Sequence, residues 1–436
     1  MPRDNHPISR RDIHKNALKV LYRLHDAGFE AYLVGGGVRD LLLGLKPKDF
    51  DIATNATPEQ IKSLFSNCRL IGRRFRLAHI VFGRDIIEVA TFRGHHEEKA
   101  DGKNVSKQSE DGQLLRDNVY GTIDEDAERR DFSINALYYS IADYSIRDYW
   151  QGVEAINKRQ IELIGDPETR YREDPVRMLR AVRFAIKLDM EIAPATAAPI
   201  KELAPLLNNI PAARLFEESL KLFMNGKGLA TFKKLVEFGL FQQMFPQLGK
   251  TVAVENSKGY QLFCLALSNT DERIANNQRV TPAFLYATMF WYGVEARATE
   301  LASESGLPSY DALQIAITEA LDSNKYRIFI PKRFASMIRD IWSNQPRLHN
   351  RQGKRPFRLL EHPKFRAAYD FLLLRSEIEG GELVELAQWW TQFQQANTKE
   401  KSGLMQDVKD PSKKRGPYKK RRYNKRRSSN KPKKQD

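Results

Sequence analysis

Asp49 and Asp51 stand two residues apart at the start of a run, Asp49 to Thr54, whose apolar content predicts a β-strand. Residues i and i+2 of a strand project from one face, so both carboxylates point together while Phe50 points into a core. Two adjacent carboxylates repel unless a cation lies between them, and paired oxygen ligands suit Mg²⁺. Upstream, Leu33-Val-Gly-Gly-Gly-Val-Arg39 offers a turn whose backbone N–H groups can approach phosphate at a helix start, with Arg39 adding charge. Gly35, Gly36 and Arg39 are therefore candidate phosphate ligands. The chemistry this spacing serves is the holding of a triphosphate over metal ions. An ordinary strand-to-helix turn remains open at this point, as does the sugar-nucleotide use of Asp-x-Asp.

Two later clusters carry further polar groups. Arg129-Arg-Asp-Phe-Ser-Ile-Asn135 places two arginines before Asp131 and an amide one turn on. Asp131 would suffice as a helix cap, whereas Arg129, Arg130 and Asn135 offer phosphate and ribose contacts. The cluster Tyr171 to Arg183 runs into a helix expected over 174–188, with Pro175 in its first turn. Asp174, Arg177 and Arg180 then follow one another at i+3 on one face, opposite a buried stripe of Met178, Leu179, Val182 and Ala185. An Asp acceptor beside an Arg donor can address the edge of a base; a solvated Asp/Arg face is the plainer account. Glu88, on an expected strand, is a further carboxylate whose role stays open.

The elements that must position these groups follow from periodicity. A helix is predicted over 14–27 and strands over 30–34 and 49–54, with a helix over 38–43 between the strands. Thr57-Pro58 starts another helix, to about Ser66, and 77–82 and 86–92 form a hairpin around Gly83-Arg84-Asp85. Residues 94–117 read as a loop over or beside the site, 132–140 as a helix, 146–149 and 160–164 as strands, and almost everything beyond Gly165 as helix. The fold class is α+β: a nucleotide-binding head with a mixed sheet, then an all-α remainder. The divisions expected are a flexible 1–12, a catalytic head over 13–165, a helical neck over 166–225 that binds nucleotide and RNA, a helical body and tail over 226–396 that binds RNA, and a disordered basic segment over 397–436. Trp291, Trp342, Trp389 and Trp390 are taken as packing residues.

The 436 residues suffice for two to four domains. Of the net charge of +16, the segment 411–436 carries +12, from thirteen Lys/Arg against one Asp, which leaves +4 elsewhere. Two cysteines far apart, Cys68 and Cys264, exclude a disulfide framework or a zinc site and favour a reducing compartment. No run of 18 apolar residues and no signal-like start occurs, so a cytoplasmic protein without membrane insertion, and a monomer, are expected.

Taken in order, the Gly-Gly-x-Val-Arg-Asp turn, Asp49-Phe-Asp51, Arg129 to Asn135 and Glu173-Asp-x-x-Arg177 resemble the class II tRNA nucleotidyltransferases and bacterial poly(A) polymerases. Gly72 to His79, Glu88 to His96, Arg172 to Phe184, Arg351-Gln-Gly-Lys-Arg355 and the basic tail look like the polymerase branch. No His-Asp phosphohydrolase pattern accompanies them; His25-Asp26 is isolated. The resemblance implies AMP transfer from ATP to RNA 3′ ends, releasing pyrophosphate without a protein nucleophile, and RNA-decay proteins as possible partners. It also implies that Asp49 and Asp51 hold two Mg²⁺ ions and that Asp131 is the third acidic residue. Gly36 and Arg39 would contact the triphosphate, Arg129 or Arg130 with Arg177 and Arg180 the nucleotide, and Asp174 with Arg177 the base edge. CCA addition to tRNA is the nearest alternative, and an RNA-binding adaptor without catalysis a second.

In the tail, Lys413, Lys414, Arg415, Lys419, Lys420, Arg421 and Arg422 flank Tyr418, with Tyr423 following, a composition suited to RNA phosphates with rings to stack on bases. A solubilising arm would have similar charge. Truncation after Asp410 is expected to weaken RNA binding and flatten its salt dependence; an unchanged slope in a salt titration would count against RNA contact.

Overall fold

The computed structural model describes residues 1–72, 76–94, 119–322, 327–406 and 408, with the backbone of 107–108 and 114–116. The expected RNA contacts from Lys413 to Arg422 lie outside the described residues, as do 73–75, His95 and His96 of the resemblance motifs. Most of the expected 94–117 loop is also outside them, but Lys107–Gln108 and Leu114–Arg116 pair antiparallel within it.

Strands β1 (Ala31–Val34), β2 (Asp51–Thr54), β3 (Cys68–Ile71), β4 (Leu77–Phe82) and β5 (Asp85–Thr91) come first. After β6 (Lys107–Gln108) and β7 (Leu114–Arg116) come β8 (Leu137–Ser140), β9 (Ile146–Asp148), β10 (Gln160–Ile161) and β11 (Glu191–Ile192). The main sheet has the order β3-β4-β5-β2-β1-β8-β9, antiparallel throughout except for the parallel pair β2 and β5. On one face Leu33, Ile52 and Val89 join the main core beneath helix α1 (Lys15–Asp26), whose buried stripe is Ala17, Val20, Leu21 and Leu24. On the other face Val34, Ala53, Phe92, Ala127 and Tyr138 form a smaller cluster. Asp51 shares this second face by alternation with Ala53.

Helix α2 (Gly36–Leu42) follows β1 at once, and α3 (Pro58–Leu64) starts on the expected Thr57 cap, closed by Gln60 as a capping box. The expected helix over 132–140 is absent. A single 3₁₀ turn, Ser133–Asn135, leads into β8, which lies between β1 and β9 with all four residues buried. Burial on both faces removes the alternation that marks a half-buried strand, and a short apolar run then reads equally well as helix. Helices α4 (Ile123–Arg129), α5 (Gly152–Lys158), α6 (Pro167–Glu173) and α7 (Val176–Leu188) complete the head and enter the neck.

The N-terminal residues are not loose. Met1 exchanges backbone hydrogen bonds with Ile146, His6 is buried against the Tyr144 carbonyl, and Ile8 is 2% exposed. At the other end, Thr398–Gln406 is helical, and Leu404 and Met405 pack on the tail, so order continues past 396. Buried side chains of head, neck and body form one cluster, whereas Leu348, Leu359, Phe365, Trp390 and Phe393 form another. The break in the core therefore falls inside the expected 226–396 unit. All four tryptophans named above are buried. Among the described residues no helix is long and apolar enough to cross a membrane, and Cys68 and Cys264 are free thiols.

Ile8→Ala should lower stability by about 2–4 kcal/mol, the usual cost of emptying a packed aliphatic site. Urea unfolding measures it; a loose arm would give no change.

Candidate active site

The antiparallel pairing of β1 with β2 sets Val34 opposite Asp51, so the turn at Gly35 opens beside the carboxylates, as the spacing predicts. Gly35 has φ +66°, a conformation that favours glycine, and its N–H donates to the Leu137 carbonyl at 3.1 Å. A side chain there would also press on the Arg130 guanidinium, 3.3 Å from its first atom. Asp49 lies two residues ahead of Asp51, the first residue of β2, and both carboxylates keep exposed surface.

Asp51 has another acidic neighbour. Because β2 and β5 run parallel with Ile52 beside Val89, Glu88 lies one strand away on the same face. Crowding by the surrounding protein, then the charge of Glu88, then that of Asp49 push the Asp51 carboxyl up to about 6, with Arg130 opposing. Glu88 itself faces His79, whose Nε2 is 3.3 Å away. Among the described residues no group of three or more His, Cys, Asp or Glu is gathered tightly enough to hold a metal unaided.

Asp131 is closely partnered. Its Oδ1 accepts from the Phe132 N–H at 2.9 Å and Asn135 Nδ2 at 3.0 Å. Its Oδ2 accepts from Arg180 Nε at 2.7 Å and Nη2 at 2.5 Å. Burial alone would raise its pKa, but the Arg180 charge and these hydrogen bonds outweigh it and bring the carboxyl down to about 2. Asn135 Oδ1 in turn accepts from Arg39 Nη1 at 2.6 Å, and Arg39 also donates to Asp40 at 2.6 and 2.9 Å. Arg39 is thus buried next to Gly36, with its guanidinium bonded to Asn135 and Asp40.

Arg130 is likewise turned inward, donating to Asp126 at 3.0 Å and to the Tyr138 hydroxyl at 2.7 Å. Arg129 donates to the Gly94 carbonyl at 2.8 Å. The expected row of Asp174, Arg177 and Arg180 does not form one face, because the helix breaks at Asp174 and Pro175. Asp174 pairs with Arg214 of helix Ala212–Phe223, and Arg177 is buried against Glu173 and the Arg170 carbonyl, while Arg180 reaches back to Asp131. Asp174 and Arg177 share no side-chain bond.

Sequence reasoning missed Asp126, Tyr138, Arg170, Arg183 and Arg214. Arg170 donates to the carbonyls of Arg129 and Arg130, tying α6 to the head. Arg183 stands beside Arg180, its guanidinium 4.7 Å from the Phe184 ring centre and its buried Nε without a hydrogen-bond partner. Burial and the neighbouring Arg180 lower its pKa to about 10, so it stays charged at neutral pH. Its place in the Arg172 to Phe184 motif was the available signal.

Three family models match the chain: the poly A polymerase head domain over 31–162, the probable RNA and SrmB-binding site of polymerase A over 189–250, and the polymerase A arginine-rich C-terminus over 305–428. The poly(A) polymerase I of Salmonella typhimurium is 56% identical over 412 residues, 94% of this chain and 89% of that protein. The chain belongs to the bacterial poly(A) polymerase I family and is a nucleotidyltransferase. The Haemophilus influenzae poly(A) polymerase I is 52% identical over 95% of this chain and 92% of its own length. A Lactobacillus helveticus CCA-adding enzyme is 34% identical over 62% of the chain and 67% of its own. Among solved structures, a Bacillus stearothermophilus CCA-adding enzyme in complex with CTP aligns over 91% of this chain and 88% of its own, with a TM-score of 0.55 and 24% identity. At that identity the likeness concerns the fold alone.

Asp131→Asn should cost about 2–3 kcal/mol at pH 7, by leaving the half-buried Arg180 uncompensated. The folded carboxyl lies at about 2, below its unfolded value, so its stabilising effect is full above about pH 4 and fades as pH falls toward 2. Urea unfolding of parent and variant should show a gap that narrows as pH falls from about 4 toward 2; a gap constant with pH would refute the ionised pairing.

Proposed function

We propose that this protein adds AMP from ATP to RNA 3′ ends without a template, releasing pyrophosphate, and so polyadenylates RNA. The observation that carries the reading is the exposed Asp49 and Asp51 pair beside the Gly35 turn, with crowding by the surrounding protein and then the like charges of Glu88 and Asp49 pushing Asp51 up to about 6. Carboxylates crowded together suit a divalent ion. Mg²⁺ commonly takes one or two protein carboxylates, completing its shell with water and substrate phosphate, a donor set that Asp49 and Asp51 can supply. Asp49 and Asp51 would hold the two Mg²⁺ ions, which when bound activate the RNA hydroxyl and neutralise charge on the leaving pyrophosphate.

The chain's own groups do the positioning. The first backbone N–H groups of α2 lack intrahelical acceptors and suit triphosphate oxygens. Arg39, held by Asp40 and Asn135, keeps that turn in place from behind, and Asp131 ties the turn to Arg180 of the neck. Arg180 and Arg183 bring positive charge toward the nucleotide, and Asp174 with its partner Arg214 offers acceptor and donor atoms for a base edge. Catalysis then rests on alignment and charge stabilisation, as in other phosphoryl transfers. The choice of ATP over CTP draws on the relatives named poly(A) polymerase I, which match over 94–95% of the chain, against 62% for the CCA-adding enzyme. Two free thiols support a reducing, cytoplasmic setting.

Asp49→Ala and Asp51→Ala should each abolish AMP incorporation, with circular dichroism and melting unchanged. Supplying single nucleotides with a generic RNA should yield long tails with ATP alone. Retained activity in either variant, or CTP use confined to tRNA ends, would overturn the assignment.

A further inference from the structure

The turn Arg351-Gln-Gly-Lys-Arg355 takes no part in the site described above. It joins helix Lys332–Leu348 to helix Arg355–Leu360, and Gly353 within it has φ +64° with open space where a side chain would stand. The reversal brings Arg347, in the last turn of the first helix, to face Arg355 and Arg358 of the second. Together with Asn350, Leu359 and His362 they line a concavity of about 340 Å³.

No carboxylate lines that wall, although Glu361 adjoins His362 in sequence. Neutral amides hold two of the guanidiniums: Arg347 Nη1 donates to Asn344 Oδ1 at 3.2 Å and Arg355 Nη1 to Asn350 Oδ1 at 3.3 Å. Among the described residues none of the three arginines is ion-paired, in contrast to the neck, where Arg177, Arg180 and Arg214 each meet an acid. His362 Nδ1 accepts the Lys364 N–H at 3.1 Å, which places the proton of the neutral ring on Nε2 and leaves a donor there.

Three like charges around one hollow repel each other, and an anion relieves them. Guanidinium groups match phosphate oxygens in geometry, and Leu359 and the His362 ring offer apolar surface for a ribose or base. The volume lies at the small end of ligand sites, about 300–1,000 Å³, which favours one nucleotide unit over a folded protein segment. The walls belong to the tail cluster around Leu348, Leu359 and Trp390, apart from the core that carries Asp51. The match described as a probable RNA and SrmB-binding site covers 189–250, whereas the walls of this hollow lie within the match to the arginine-rich C-terminus over 305–428.

We propose that this hollow grips the phosphates of one nucleotide unit of the RNA strand, upstream of the 3′ end being extended. It rests on the RNA-extending reading above and names where the tail holds that substrate. The test uses the full chain carrying Arg347→Gln with Arg358→Gln, a single Arg358→Glu variant, and a charge-matched control, Lys332→Gln with Arg333→Gln. Binding of an unstructured RNA is read by fluorescence anisotropy across a salt series without ATP, and turnover is read at saturating RNA. The double variant should bind roughly tenfold more weakly near physiological salt, with the log–log salt slope reduced by about 1.4, some 0.7 per single-strand phosphate contact. Arg358→Glu should weaken binding in the same direction, and melting temperature and turnover at saturating RNA should match the parent. Binding and slope equal to the control in both pocket variants would overturn the proposal, as would loss confined to capture of an acidic protein. RNA grip without AMP addition by the parent would sink the functional reading and leave this one standing.

Discussion

Asp131 is the point on which the head and neck depend. Its two oxygens accept from a backbone N–H, an amide and a guanidinium, and those donors belong to the 3₁₀ turn after α4 and to helix α7. Asn135 carries the connection on to Arg39, and Arg39 to Asp40, so one chain of charge-assisted bonds runs from the neck to the turn beside β1. A buried charge is tolerable only when its partners are complete, and removing one partner typically costs several kcal/mol. The glycine turn is fixed by the same groups, through Gly35 to Leu137 and Arg130 to Asn135.

Across the cleft the logic is reversed. The single parallel pairing in the sheet places Asp51 beside Glu88, and the charge of Glu88 adds to burial in raising the Asp51 carboxyl, against the opposing charge of Arg130. Where a carboxylate holds the fold together it is saturated; where one faces the cleft it is left strained.

Much of this was legible beforehand. The glycine turn, the register that returns Asp51 beside it and the Thr57 capping box follow from local rules about backbone freedom and side-chain caps. The 132–140 segment was misread because β8 is buried on both faces, which erases the period of two. The N-terminal residues look polar, yet a few groups, His6 and Ile8 among them, fix the segment against β9 and the core. Arg39 was expected at phosphate because its charge is local information, while its burial depends on Asn135, 96 residues away.

Arginine roles in the neck make the same point more sharply. Arg172 and Arg177 each sit four residues after a glutamate, Glu168 and Glu173, with ion pairs of 2.7 and 2.8 Å. By spacing they are equivalent. The first pair is about half exposed on both partners and contributes little, since water screens it and two long side chains must be ordered. The second has Arg177 almost wholly enclosed, where the same contact is held by a carbonyl as well and cannot be broken without leaving a charge in low dielectric. Helical spacing states which side chains can meet; only the packing around α7 states which of them remain available to a substrate. Hence Asp174, expected to work with Arg177, is found with Arg214, a partner 40 residues away that no local pattern could have named.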